Sequence, residues 1–370
     1  METLTKQDAP VKKKKRTNMF EAVRNALIFV AIWGVIATYF SFGLSVAAQS
    51  AFRIVLAVVV AYLTHIIYYL VEDKICKREI PPFKAWLANN WKKIQKGAPD
   101  ITALLIGLRL QMAAPLYVLV IAAVIAEVIG KLMWGGFGKN KLNPVGVSII
   151  LTRVIFDYYL RMPEIDGITA ATPVSLVAQQ GWYFTEASRN LFINQFGNLW
   201  DLLIGNFTGI MAETTRLASI LAMFYMVNKK AVKWHIPLYY VGFVFVTTAF
   251  VGLFHGFHWD YSLFHVLNGG LIFGAIFMAT DPVTIPKNKS GQIIFAILLG
   301  MLTLVIRFRA QIFAEGVVVS ILIMNMFSGY INEKAAGLMK APVKTQNKVY
   351  GLIFAISAVA VFILALGLPY

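Results

Sequence analysis

The strongest constraint in this chain is a series of apolar blocks, each roughly 18 to 25 residues long, the length of helix that crosses about 30 Å of hydrocarbon. A backbone in that medium must satisfy its own hydrogen bonds, which leaves helices or closed barrels. Barrel strands alternate apolar and polar residues, and these blocks do not alternate. With 58% hydrophobic and only 14% charged residues among 370, the composition lies outside the soluble range. The chain therefore reads as an all-α polytopic membrane protein with about 10–11 transmembrane helices. Spans are expected near 22–45, 51–72, 101–112, 115–134, 144–161, 200–228, 234–254, 258–280, 291–307, 316–333 and 349–367. The third is too short to cross alone, and several others carry Gly or Pro, so broken helices are expected inside the bundle.

A net charge of +16 in a soluble protein points to nucleic acid. Here the basic residues lie in the tail Lys12 to Arg16 and in short loops, which is the pattern of topology signals and lipid headgroup contact. The run KKKKR also resembles a nuclear-localisation patch, a weak match on a membrane protein. The tail, the loop 73–99, the lysines at 131, 139 and 141, the turn Lys229 to Lys233, Lys287 with Lys289, and the linker 334–348 are all expected in the cytoplasm. The segment 161–199 contains no lysine, only Arg161 and Arg189, and is expected outside. The first apolar block follows the basic tail as in a signal peptide but shows no small-residue cleavage site, so it reads as the first span.

An internal repeat organises the map. LLIGLRLQMAAP (104–115) followed by GKLMWGGFGKNKLNPVGVSIIL (130–151) parallels GGLIFGAIFMATDP (269–282) followed by LVIRFRAQIFAEGVVVSILI (304–323). Two inverted five-helix repeats are expected, with the working site at their interface. The expected division is a basic tail 1–20, a first repeat 21–161, an outer loop 162–199, a second repeat 200–335, and a linker with an extra C-terminal span over 336–370.

Ionisable residues within spans are costly and call for a partner or a role. These are Arg109, Glu127, Arg153, Asp157, Glu213, Arg216, Asp281, Arg307 and Glu315. Glu213 with Arg216 and Arg153 with Asp157 have the spacing of intrahelical pairs. Asp281 stands before Pro282 at the end of a broken span, which favours a cavity-lining role. Asp281, Glu213 and Glu127 are the candidates for an ion path. His255, His258 and His265 share a helical face, so a metal or haem site and an ordinary interfacial cluster both fit, while His65 and His235 are scattered. The one cysteine, Cys76, excludes an internal disulfide and an iron–sulfur cluster held by this chain alone.

FMATDPVT (277–284), GGLIFG (269–274), GGFGKNKLNP (135–144), LIGNFTGIMAET (203–214) and AEGVVVSILIMN (314–325) together resemble a family of membrane proteins from two redox-driven ion pumps. Its members are RnfD of the Rnf electron-transport complex and NqrB of the sodium-translocating NADH:quinone oxidoreductase. The resemblance covers roughly residues 20 to 335. It implies FMN joined through its phosphate to a threonine, placed by a flavin transferase that recognises Asp-Gly-x-Ser/Thr-Gly-Ala-Ser/Thr. In DGITAATP (166–173), Asp166, Gly167, Thr169, Ala171 and Thr172 match, which makes Thr172 the expected attachment residue and Thr169 the next candidate. Ala170 departs from the motif's glycine, and Asn332 stands where the family usually has Asp. The resemblance also implies a non-covalent riboflavin and an FMN-bearing partner among other membrane and peripheral subunits. It implies a prokaryotic cell membrane, and a chain that carries electrons without being catalytic alone. The short segment before the first span favours the Rnf type over the quinone-reducing type. Inverted five-span repeats also occur in urea-type channels, so a flavin-free transporter or scaffold is the competing class.

Overall fold

The computed structural model describes residues 19–157, 160, 176, 185–205, 207, 209–309 and 316–367. Among them every regular element is helical. The first half contains α1 (Met19–Phe42), α2 (Leu44–Ile75), α3 (Phe83–Lys96), α4 (Pro99–Arg109), α5 (Leu116–Val128) and α6 (Pro144–Ile155). Then come α7 (Glu186–Phe196), α8 (Leu199–Ile204), α9 (Met211–Thr214), α10 (Arg216–Asn228) and α11 (His235–His255). The rest is α12 (Tyr261–Leu267), α13 (Leu271–Met278), α14 (Lys289–Arg309), α15 (Val317–Ala336) and α16 (Val343–Leu366).

Each of the eleven expected spans contains helix among the described residues, but the helices are not equally long. Among the described residues six helices are long and apolar enough to cross a bilayer, and α12 with α13, bent by 58° at their break, make a seventh. The remaining expected spans are shorter or more polar for visible reasons. The segment 200–228 is cut between α8 and α9 by positive-φ Gly205 and the extended Ile210, and between α9 and α10 at the non-helical Thr215. The helix α15 has 20 residues but carries Ser320, Asn325 and Asn332. Segment 73–99, read as a loop, contains the amphipathic helix α3. Its Trp86 and Ile94 are buried against α2, and Lys84, Lys92 and Lys96 face outward.

Local sequence explains several ends. At α6, Asn143 caps the helix by accepting from Gly146 N at 3.1 Å, with Pro144 in the first turn, a position where proline loses no bond. Asn198 and Asp201 form a reciprocal capping box on α8.

The packing scheme recurs. In the first half α2 packs on α4 and α5, and α5 packs on α6; in the second, α11 packs on α12 and α14, and α14 on α15. The halves meet where α1 packs on α10 and α6 on α15. Most of α14 is buried at the centre, whereas α16 lies against α11 and α14 with an outer face of Leu352, Ile356, Val359 and Ile363 exposed. Together with Phe40, Phe224 and Leu253, these form the apolar exterior that lipid requires.

Candidate functional site

At the C-terminal end of α5, three ionisable side chains meet with almost no exposure. His65 Nε2 lies 2.7 Å from Glu127 Oε2, and the Lys131 ammonium lies 2.9 Å from the same oxygen. A carboxylate only accepts, so the imidazole carries its proton on Nε2. Lys131 also donates to the carbonyls of Gly97 at 2.8 Å and Ala98 at 3.2 Å. The Gly97 carbonyl caps the C-terminal end of α3, where C=O groups lack helical partners and form a negative end, and Ala98 is the N-cap of α4. The approach demands glycine at 97: a Cβ there would lie 2.4 Å from His65 Cε1. Ala98 takes a left-handed φ of 46°, so the α3–α4 joint is strained and held by its surroundings. Beside it, Arg24 of α1 pairs with Asp100 in the first turn of α4.

Lys131 also lines a cleft between the halves, walled by Ile101, Leu105, Val145, Met226 and Phe277. Asp281, in the turn after α13, lines the same cleft. Its carboxylate accepts from Val283 N at 3.1 Å and Thr284 Oγ1 at 3.2 Å. Burial pushes this carboxyl above the ordinary range, while Lys131 and Lys287 act in the other direction. Asn143 and Asn325 fasten the two halves around the cleft. Asn143 Nδ2 donates to Met278 O at 3.3 Å, Asn325 Oδ1 accepts from Asn143 N at 3.0 Å, and Asn325 Nδ2 donates to Thr284 O at 3.2 Å.

Buried arginines hold the breaks in the spans. Arg53 of α2 donates to Gln111 O and Ala114 O at 3.0 and 2.7 Å, just after α4 ends. Arg307 of α14 does the same for His265 O and Asn268 O at 2.6 and 3.3 Å, where α12 gives way to α13. Arg216 reaches Leu202 O at 2.6 Å and Gly269 O at 3.5 Å. Guanidinium is suited to this, since its rigid fork satisfies two freed carbonyls at once.

The expected ion-path residues thus fall in different places. Glu127 pairs with Lys131, and Asp281 lines the same cleft as Lys131. Glu213 lies elsewhere, 3.5 Å from Arg109 across the α4–α9 contact. Spacing put Arg216 opposite Glu213; the structure gives Glu213 a partner from the other half. Arg153 and Asp157 do pair, at 3.2 Å and partly exposed. Glu315 and the whole motif of Asp166, Gly167, Thr169, Ala171 and Thr172 lie outside the described residues. Leu160 and Leu176, which bracket most of that segment, are buried in the main core.

The histidines separate as well. His258 bonds Asp260 at 2.8 Å, His255 stacks on Phe257, and His265 packs edge-on against Tyr261 at 4.5 Å between centroids. Among the described residues no cluster of three or more His, Cys, Asp or Glu is arranged for a metal. The scattered pair has defined roles: His65 holds Glu127, and His235 lies 2.7 Å from Gln292 Oε1. Sequence reasoning missed Arg53, although an arginine inside the apolar stretch AFRIVL carries the same signal as Arg307. It read Lys131 only as a topology charge.

Comparison with known proteins adds a family. The model described as the NQR2, RnfD, RnfE family matches residues 10–337, so α16 lies beyond the match. The chain is 33% identical over 250 residues to the D component of a proton-translocating ferredoxin:NAD(+) oxidoreductase complex of Clostridium ljungdahlii, covering 65% of this chain and 73% of that one. It is 31% identical over 248 residues to the B component of the Na(+)-translocating NADH-quinone reductase of Chromohalobacter salexigens, covering 63% and 56% respectively. The D component of a Na(+)-translocating ferredoxin:NAD(+) oxidoreductase complex of Acetobacterium woodii is 27% identical over 268 residues, covering 71% and 74%.

Proposed function

Since this chain belongs to the NQR2, RnfD, RnfE family, we propose that it is the membrane subunit of a redox-driven, ion-translocating electron-transport complex of the Rnf type, with FMN esterified to Thr172. The observation that carries the reading is the family match over residues 10–337, together with relatives whose names place them in ion-translocating oxidoreductase complexes. The motif at 166–172 supplies the flavin part of the proposal. A threonine hydroxyl can become a phosphoester, and Pro173 disfavours helix at Thr172, keeping the segment open to a transferase. FMN, when bound, supplies single-electron transfer between a donor and a further carrier. This chain's part is to anchor the segment, through Leu160 and Leu176, on a bundle whose two halves meet at a charged cleft. Its partners on this reading are the other membrane and peripheral subunits, one of them FMN-bearing, and the flavin transferase. Riboflavin is part of the same proposal, without assigned residues. The N-terminus is placed in the cytoplasm and Thr172 outside it.

The decisive experiment is direct. The full chain is produced with a flavin transferase, denatured, and separated on a gel. Fluorescence in the protein band and one added FMN on the Thr172 peptide are expected, and Thr172→Ala loses both while still inserting in the membrane. Flavin retained by Thr172→Ala moves the site to Thr169. A bare peptide from such cells would sink the redox reading. It would favour a flavin-free solute pathway or scaffold, which Ala170 in place of the motif's glycine makes the second reading.

A further inference from the structure

The helix α2 is longer than a bilayer requires. Its 32 residues extend about 48 Å, against about 40–45 Å for hydrocarbon and headgroups together. Aromatic side chains mark where it leaves the lipid. Trp91 of α3 stacks on Tyr62 at 5.6 Å between centroids, Tyr68 donates to Leu132 O at 3.2 Å, and Trp134 is exposed just beyond. Such rings settle at headgroup level. Ile75 lies seven residues past Tyr68, about 10 Å further along the axis. The headgroup layer is only about 5–8 Å deep on each side and stops short of it.

The projecting end is a built hairpin. Asp73 accepts from Trp86 Nε1 and Arg78 Nη1, both at 2.8 Å, and the Lys93 ammonium lies 2.9 Å from Glu72 and 3.7 Å from the centre of the Tyr69 ring. These contacts fold α3 back along α2. Cys76, Lys77 and Arg78 donate their backbone N–H groups to the carbonyls of Glu72, Lys74 and Asp73, closing the turn. Pro81 and Pro82 stiffen its exit. A tip formed in advance loses little entropy when it binds.

The surface of this tip is ill suited to water. Ile75, Ile80 and Phe83 are 74%, 44% and 57% exposed. Large apolar side chains gathered outside the lipid mark a contact surface. Around them Lys74, Lys77 and Lys84 are exposed beside Glu79, while Asp73 with Arg78 and Glu72 with Lys93 neutralise one another. An apolar centre inside a basic rim is complementary to an acidic protein surface.

We propose that the α2–α3 hairpin is the docking site for a soluble subunit of the complex, one that presents an acidic rim around an apolar patch. The proposal rests on the reading of the chain as part of a multi-subunit complex, with segment 73–99 in the cytoplasm. Ile80 and Phe83 enter the partner's apolar patch, and Lys74, Lys77 and Lys84 steer its approach.

The test uses the complete complex in its own membranes. Phe83 is replaced by the photo-crosslinker benzoylphenylalanine. Irradiation joins the chain to a soluble subunit that copurifies with it, identified by peptide mass spectrometry. The same group at Leu253, on the apolar exterior, gives lipid adducts. Ile80→Asp with Phe83→Asp lowers retention of that subunit on washed membranes about tenfold or more. Lys77→Glu with Lys84→Glu slows its rebinding about tenfold at low salt, and the difference shrinks as salt rises. Should a variant fail to fold, the crosslink in the otherwise native chain decides. Lipid adducts alone at position 83, or full retention in folded Ile80→Asp with Phe83→Asp, overturn the proposal. None of these readouts needs flavin. Subunits that stay bound without touching the hairpin remove this proposal alone, whereas a chain that brings no other subunit with it removes the complex reading as well.

Discussion

His65 and Glu127, sixty-two positions apart, meet at 2.7 Å with neither side chain reaching the surface. The contact ties α2 to α5 where Lys131 and the end of α3 also converge. His65→Leu removes the donor but leaves Lys131, so the buried carboxylate loses one of its bonds. The expected cost is about 1–3 kcal/mol, read as a lower melting temperature in detergent. Unchanged melting would make the imidazole a spectator.

Gly97→Ala places a methyl group 2.4 Å from His65 Cε1. The imidazole cannot turn aside without breaking its bond to Glu127, so the clash passes to the α3–α4 joint. Overpacking of this kind costs about 1–3 kcal/mol. The double variant Gly97→Ala with His65→Ala recovers part of that loss if the ring is the obstacle, and a thermal-shift series on the two singles and the double checks it.

Arg307→Met frees two buried carbonyls at the α12–α13 break, and the expected loss is about 3 kcal/mol. Arg153→Ala is the contrast. Its ion pair with Asp157 leaves the two side chains 36% and 40% exposed, and such pairs contribute about 0–1 kcal/mol. Melting of the two variants side by side should separate them clearly; similar losses would refute the capping role.

Asp281 contributes a stability term of defined sign. Its folded carboxyl binds its proton more tightly than the unfolded one, whose ordinary value is 3.8. Between that value and the higher folded one, the folded state holds more protons. Stability from this group therefore falls as pH rises through the window, and the penalty persists above it. Asp281→Asn should gain stability relative to the native chain as pH rises from 4 toward neutrality. Parallel melting curves across that range would show that the burial is offset by the bonds from Val283 and Thr284 together with Lys131 and Lys287.

Asn332 shows how a departure in sequence is absorbed by geometry. Its Oδ1 accepts from Lys287 N at 2.7 Å, Asn288 N at 3.0 Å and Asn288 Nδ2 at 2.9 Å. All three demands are for an acceptor, which a carboxylate or an amide oxygen meets equally. The turn before α14 is pinned by this one amide oxygen.

The sequence by itself determined the class and most of the helix positions, but not α3 within 73–99 or the division of 200–228 into three helices. Hydrophobic block length answers to bilayer thickness, and Gly, Pro and Asn stop helices by local chemistry. Arg153 with Asp157 was legible for the same reason, since the partners lie within about one turn. The motif around Thr172 was legible only through resemblance, and the described residues do not include it. Tertiary structure alone decided the partners of the buried charges. Glu127 found His65 from α2, Glu213 found Arg109 from α4, and Lys131 turned inward onto the Gly97 carbonyl at the end of α3. These pairings span dozens of positions and depend on which helix faces meet. In a medium without water to solvate a stray charge, each such group must find its counterpart through the fold.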